Sequence, residues 1–423
     1  MCGVGRIRLG RQQEFYCLGA KRRPVERDRL LAAAGEEPAG IEAGPEVQSI
    51  YWVITWACHR KCRHCYDDRF RPYVRAQLER VVAEGQRAYR AILHNLPDDM
   101  TYLDPKHPRD DGTPSPRRSS LILAGGEVLI DGVREELFYP VLVAIRERWG
   151  AAAPHVSIQT TGDVLEAAHV EAMLERGVST IAIAGIDDFH VGLEGDWKFA
   201  LMERIRAMMA PFGVQEIDLG GARDPRLRSK APHERREDLG AGPFFLFFGA
   251  QPELWIGELW PRGRAWVNGL SNATYETNFC ARWSGGKNFM NHGHAGSEVA
   301  IEPDGAVYPC CLKTKAPLGN LTEERLLDIL DSLRGHPALE AINAGDPEAM
   351  GESSGWTRAD YRRGATVTDP TGRTFANVCM GCDAFFEKHL RGELERIRAE
   401  RLASRGAPGA LLRRRVETKY DSA

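Results

Sequence analysis

No apolar run in these 423 residues approaches the ~20 that a membrane-spanning helix needs. Neither sign of charge dominates. There are 56 Lys and Arg against 59 Asp and Glu, a formal net charge of −3, so nothing draws the chain in bulk to nucleic acid or an anionic membrane. Arg6, Arg8, Arg11, Lys21, Arg22 and Arg23 make the N-terminus basic, but no apolar segment follows them, which argues against a secretory signal. Ten cysteines are too sparse for a disulfide scaffold in a chain of this length. Eight of them fall into two groups, as metal ligands do, while Cys2 and Cys17 have no companion at ligand spacing. The expectation is a cytoplasmic metalloprotein. The 423 residues are enough for one large domain and a smaller one, and 43% hydrophobic with 27% charged residues is ordinary for a soluble globular protein.

The first cysteine group is Cys58-His59-Arg60-Lys61-Cys62-Arg63-His64-Cys65, directly after the apolar run Ile50–Ala57, which reads as a buried strand. A strand ending in a thiol-dense loop presents its sulfurs at one end of a sheet, where α/β folds bind ligands. Thiolates suit iron–sulfur clusters and zinc. Three of them hold three corners of a four-iron cluster and leave one iron open. Structural zinc needs a fourth protein ligand, and His59 and His64 are the only nearby candidates. Any disulfide among the three strands the third thiol.

Beyond this loop, apolar strands alternate with amphipathic helices. Helices are expected over Pro72–Leu96, Val133–Trp149 (with Pro140 as an interruption), Val164–Arg176 and Trp197–Met209. Strands are expected over Ser119–Ala124, His155–Gln159, Ser179–Ala184 and Val214–Leu219, with a sixth at Phe244–Phe248 or Leu254–Leu259. Residues 97–118 carry five prolines and read as an exposed excursion. Such alternation implies right-handed βαβ units and a parallel sheet. The length is short of the ~250 residues of a full eight-fold barrel. A run into Gly125-Gly126-Glu127 ends the second strand, where glycines permit close backbone approach.

The CxxxCxxC loop after a first strand, followed by one helix and a Gly-Gly-Glu strand end, resembles the radical SAM enzymes. The resemblance implies a partial (β/α)6 TIM-like barrel over residues 48–261, behind a leader at 1–47. It implies that Cys58, Cys62 and Cys65 ligate a [4Fe–4S] cluster, whose open iron is chelated by S-adenosylmethionine. His64 stands where relatives often have an aromatic residue that stacks on adenine. Gly125, Gly126 and Glu127 would bind the cofactor's ammonium group, and Gln159 and Thr160 its methionyl or ribose groups. Where relatives carry a serine and an acid on the fourth strand, this chain has Ala182 and Ala184, so Asp187, Asp188 and His190 are possible substitutes. Pro261-Arg262-Gly263-Arg264-Ala265 resembles a stretch that leaves the barrel in relatives, with Arg264 reaching a carboxylate.

Cys280, Cys310, Cys311, Cys379 and Cys382 form the second group. Ile301–Gly305 reads as a hairpin turn into Cys310, Thr322 as a helix N-cap, and Cys379-Met380-Gly381-Cys382 as a compact metal hook. This order resembles the SPASM or Twitch auxiliary-cluster domain, a small α+β unit over residues 262–395 before a C-terminal helix end and basic tail at 396–423. No cysteine follows Cys382, which implies the shorter form with one further [4Fe–4S] cluster on Cys280, Cys310, Cys379 and Cys382. Cys311 rivals Cys280, and zinc satisfies the same four thiolates. Polar residues 345–378 interrupt the group, and Leu390–Leu402 reads as a charged helix.

The expected function is reductive cleavage of S-adenosylmethionine to a 5′-deoxyadenosyl radical that takes a hydrogen atom from a small-molecule substrate. The alternatives are a maturase acting on a peptide and a zinc-stabilised binding protein. An external one-electron reductant of flavodoxin or ferredoxin type would supply the electron. No residue is assigned as catalytic acid or base, although Asp218, Glu258 and His190 lie near strand ends.

Overall fold

The computed structural model describes residue 47 and residues 49–217, 242–250, 258–282 and 298–404, all in one compact unit spanning 42–423. Asp218, Cys2, Cys17 and the basic tail lie outside the described residues. The core is a nine-stranded sheet. Its parallel part begins with strand β1 (Ser49–Thr55), the apolar run ahead of the first cysteines. The chain then forms an α-helix, Ala76–Asn95, which buries Val82, Ala88, Tyr89, Ile92 and Leu93 at helical spacing. The proline-rich excursion folds as a separate antiparallel hairpin of β2 (Thr101–Pro108) and β3 (Pro114–Arg118).

Strands β4 (Ser120–Gly125), β5 (His155–Thr160) and β6 (Val178–Ile183) follow in order, each parallel to the last. The Pro140 interruption is present. Arg134–Phe138 is a π-helical turn and the α-helix starts at Tyr139, because proline has no N–H for the turn behind it. The sixth strand is β8 (Phe244–Phe247), the first of the two expected segments. The fifth, β7, is only Gln215–Glu216, and it pairs outside β8, giving the order β1-β4-β5-β6-β8-β7. Burial explains the exchange. All four residues of β8 are buried, whereas β7 is exposed to intermediate and suits an edge.

The other edge continues into the C-terminal region. Strand β9 (Glu298–Ile301) pairs parallel to β1, matching Ser49 with Glu298 and Trp52 with Ile301. The expected hairpin then forms, with Gly305 at φ +86° turning β9 into the antiparallel β10 (Ala306–Tyr308). Thr322 is not a helix N-cap. It caps a turn on Asn320 instead, its N and hydroxyl both donating to Asn320 Oδ1, and the helix starts later, at Leu326. Residues 345–378 hold real structure: a helix at Arg358–Ala365 with a Thr357/Asp360 capping box, and a small hairpin over 366–376.

Candidate metal centres and the cavity between them

The first thiol loop is held against the ends of β1, β4 and β5. Glu127 N donates to Ala57 O at 2.8 Å and Gly126 N to Thr55 O at 3.1 Å, so the Gly-Gly turn lies directly on the chain entering the loop. A Cβ on Gly126 would sit 2.2 Å from Ala57 O and 2.7 Å from the Cys58 Cβ. The two glycines are therefore needed by backbone contact alone. Cys58 and Cys62 are buried and Cys65 is half-buried. Burial pushes the Cys58 thiol up to about 12 and the Cys65 thiol up to about 11. A metal group taking these sulfurs as thiolates must release their protons.

Glu127 is 1% exposed. Its carboxylate accepts from Thr161 N (2.8 Å), Thr161 Oγ1 (2.9 Å), Thr160 Oγ1 (2.9 Å) and Leu129 N (3.0 Å). It braces β4 to β5 and does not line the cavity, whereas Gly125, Gly126, Gln159 and Thr160 do. Gln159 Oε1 accepts from Tyr51 Oη at 2.9 Å, which itself lies 3.2 Å from Tyr66 Oη. Sequence reasoning missed Asp163, which follows the Thr161-Gly162 turn. Its carboxylate takes Arg60 at 2.6 Å, His59 at 2.8 Å and the Thr161 hydroxyl, tying the cysteine loop to the end of β5. A Thr-Gly-Asp turn beside an Arg-bearing loop was the available signal.

His64 lines the cavity, edge-on to His190 at 4.5 Å and 5.6 Å from Phe189. Burial, then the neighbouring His190, lowers its pKa to about 4, so it is neutral near pH 7. Asp187 orders the loop behind it. Asp187 Oδ1 accepts from Phe189 N, His190 N and His190 Nδ1, and Oδ2 from Ala250 N. His64, Asp187 and His190 place ligand atoms within 4.8 Å of one another. The Asp187 oxygens are committed to four protein donors, which makes this a locked polar network. Asp188 turns away to Lys198 at 2.6 Å.

Arg264 does not reach a carboxylate. It is buried and donates to the carbonyls of Cys62 (2.7 Å), Asp68 (2.9 Å) and Phe70 (2.7 Å), while its own N donates to Cys65 O (2.8 Å). Guanidinium suits this task because it offers five donors in a fixed fork. The geometry satisfies main-chain acceptors that the tight cysteine loop leaves without a ladder.

In the second group, Cys379 and Cys382 lie one turn apart on the α-helix Val378–Phe385, so both face one side. Asn377 caps that helix by accepting from Cys379 N at 2.9 Å, and donates to Ala273 O and Thr274 O. Cys280, Cys310, Cys379 and Cys382 are all buried and lie within electrostatic range of one another. Cys311 packs against the same small apolar cluster as Cys310 and Cys379 and, like Cys280, lines the cavity. It is half-buried and hydrogen-bonded to Glu298, whose carboxyl burial pushes up to about 7. What separates Cys311 from Cys280 is its Glu298 partner and its partial exposure.

A cavity of about 560 Å³ is lined by Cys58, Cys62, Cys65 and His64 of the first loop and by Glu298, Cys311 and Cys280, while Cys310, Cys379 and Cys382 stand behind its wall. Among the described residues no three cysteine sulfurs lie within 4.8 Å of one another.

Residues 294–343 match the model of SPASM, an iron–sulfur cluster-binding domain. The chain therefore carries a SPASM-type segment, and it includes Cys310. Together with the CxxxCxxC loop, this is the arrangement of the class the sequence resembles, the radical SAM enzymes with a C-terminal auxiliary-cluster domain. No curated protein sequence matches the chain. Among solved structures it is similar to BtrN in complex with AdoMet and 2-DOIA, at 12% identity and a TM-score of 0.37, over 71% of this chain and 88% of that one. It is also similar to anSMEcpe with bound AdoMet (13%, 0.37, 83% and 99%) and to Streptococcus suis SuiB bound to S-adenosylmethionine (12%, 0.32, 76% and 78%).

Proposed function

We propose that this chain is a radical SAM enzyme with one auxiliary cluster, acting on a small molecule. Cys58, Cys62 and Cys65 would hold a [4Fe–4S] cluster, and Cys280, Cys310, Cys379 and Cys382 a second. The observation that carries this is one cavity lined by the three-thiol loop, by the Gly-Gly turn and, from the second set, by Cys280. The group on Cys58, Cys62 and Cys65, with S-adenosylmethionine, would supply one-electron radical chemistry directed at a C–H bond of the substrate.

The protein's own residues bind, orient and exclude water. Main chain at Gly125 and Gly126 offers the ammonium site. His64, neutral and braced by Asp187 through His190, offers a flat face for an adenine. Tyr51 fixes Gln159 toward the cavity. The cavity volume lies within the range that holds a drug-sized ligand. S-adenosylmethionine would take a large share of it, leaving room for a small molecule or one side chain of a peptide. Complete thiolate ligation by four cysteines favours electron transfer over substrate anchoring at the second cluster. The electron source would be an external one-electron reductant.

Anaerobically purified protein tests this reading. Iron near eight atoms per chain is expected for two four-iron clusters. Stoichiometric zinc with no iron refutes it. Turnover on metabolite pools, with none on peptide pools, favours the small molecule, and the reverse identifies a maturase.

A further inference from the structure

Two arginines stand two residues apart between the thiol groups and turn to opposite sides. Arg264 grips the carbonyls of the first loop, as above. Arg262 turns to the second group. Its Nη1 and Nη2 donate to Asp383 Oδ2 and Oδ1 at 3.1 and 3.0 Å, its Nε to Leu312 O at 2.9 Å, and its Nη2 to Lys313 O at 3.4 Å. Asp383 directly follows Cys382, and Leu312 follows Cys310-Cys311. The guanidinium is thereby pinned to two of the three chain segments that deliver the thiols, those of Cys310 and of Cys379 and Cys382. Its side chain is 13% exposed and that of Asp383 11%. After Asp383, the groups acting most strongly on Arg262 are Cys379, Cys310 and Cys382. Asp383 in turn acts on Cys382 and Cys379. Lys315, half exposed at 3.7 Å, is a weaker second cation on Asp383.

A guanidinium keeps its charge at any working pH. A fixed charge in a poorly solvated site acts at full strength on whatever negative charge sits beside it. Reducing an iron–sulfur cluster adds one negative charge, so a nearby cation raises its potential and a nearby anion lowers it.

We propose that the Arg262–Asp383 pair sets the reduction potential of the cluster on the second thiol set, Arg262 raising it and Asp383 lowering it. This rests on the reading of Cys280, Cys310, Cys379 and Cys382 as that cluster's ligands. Both residues tune potential through charge and neither touches substrate. A merely structural pair gives a different pattern: removing either partner breaks the same contact, so both variants change the protein in the same direction. An electrostatic pair gives opposite signs.

The test is an EPR-monitored redox titration of the anaerobically purified full chain, in a C62A background so that the second cluster is recorded alone. R262Q is expected to shift its midpoint downward and D383N upward, with R262K close to the unmodified value and the double variant R262Q/D383N between the singles. The proposal is overturned if R262Q and D383N shift it in one direction, if neither shifts it while iron content is retained, or if R262K shifts it as far as R262Q. Should R262Q fail to hold the cluster, D383N and R262K still decide by the same signs. Absence of iron at the second set in the parent protein sinks the underlying assignment instead, which separates the two failures.

Discussion

The Glu127 carboxylate lies 2.8 Å from the main-chain N of Thr161 and 1% of the residue is exposed, so the acid of the Gly-Gly-Glu turn is a brace between two strands. Glutamine there puts an amide NH2 among donors that need an acceptor. E127Q is predicted to lower the unfolding free energy by about 2–3 kcal/mol, the range for a charged hydrogen bond lost in the interior. Denaturant titration measures it. Unchanged stability with weakened S-adenosylmethionine binding would show that the carboxylate serves the ligand.

Arg264 satisfies three carbonyls of the first cysteine loop at 2.7–2.9 Å. Lysine brings a single ammonium and cannot span them. R264K should therefore lose iron from the first site and keep it at the second, halving the total. Iron analysis with Mössbauer spectroscopy distinguishes this from uniform loss, which would point to a general folding defect.

Asp67 joins the first loop to the C-terminal region through Arg69 and Lys313, each at 2.6 Å. Burial alone would raise its pKa, but Arg69 and Lys313 outweigh it and hold the carboxyl at about 2, below its ordinary 3.8. A depressed folded pKa gives stability that is complete above the unfolded value and lost as pH falls from near 4 toward 2. The shift corresponds to about 2 kcal/mol. The stability gap between the unmodified protein and D67N should be of that size at pH 6, shrink through pH 4 to 2, and close toward zero below pH 2. Urea titrations across that range measure it, and a gap that stays constant contradicts the assignment.

Cys311 bonds Glu298 and, like Cys280, lines the cavity. C311S is predicted to keep full iron at both sites, whereas C280S removes or degrades the second cluster. Iron loss in C311S equal to that in C280S would reverse the ligand assignment.

Local chemistry made much of this legible in the sequence. The cysteine spacings, the Gly-Gly turn and the β9–β10 hairpin are written in contiguous residues, and helix Trp197–Met209 matches its expected bounds. What escaped was long-range. Nothing near Glu298 announces that its strand pairs with β1, and nothing near Gln215 places β7 outside β8. Arg264 reads as a partner for a carboxylate until the fold buries it against carbonyls some 200 positions earlier in the chain. Thr322 looks like a helix cap because the competing acceptor, Asn320, is an equally local choice.

The central claim is that Cys58, Cys62 and Cys65 present an iron able to take S-adenosylmethionine. Quantifying 5′-deoxyadenosine from anaerobic, dithionite-reduced protein and from C62A tests it most directly. The account predicts reductant-dependent product from the parent chain and none from C62A, whose second site still holds iron. Equal product from both, or none from a fully iron-loaded parent, would contradict it.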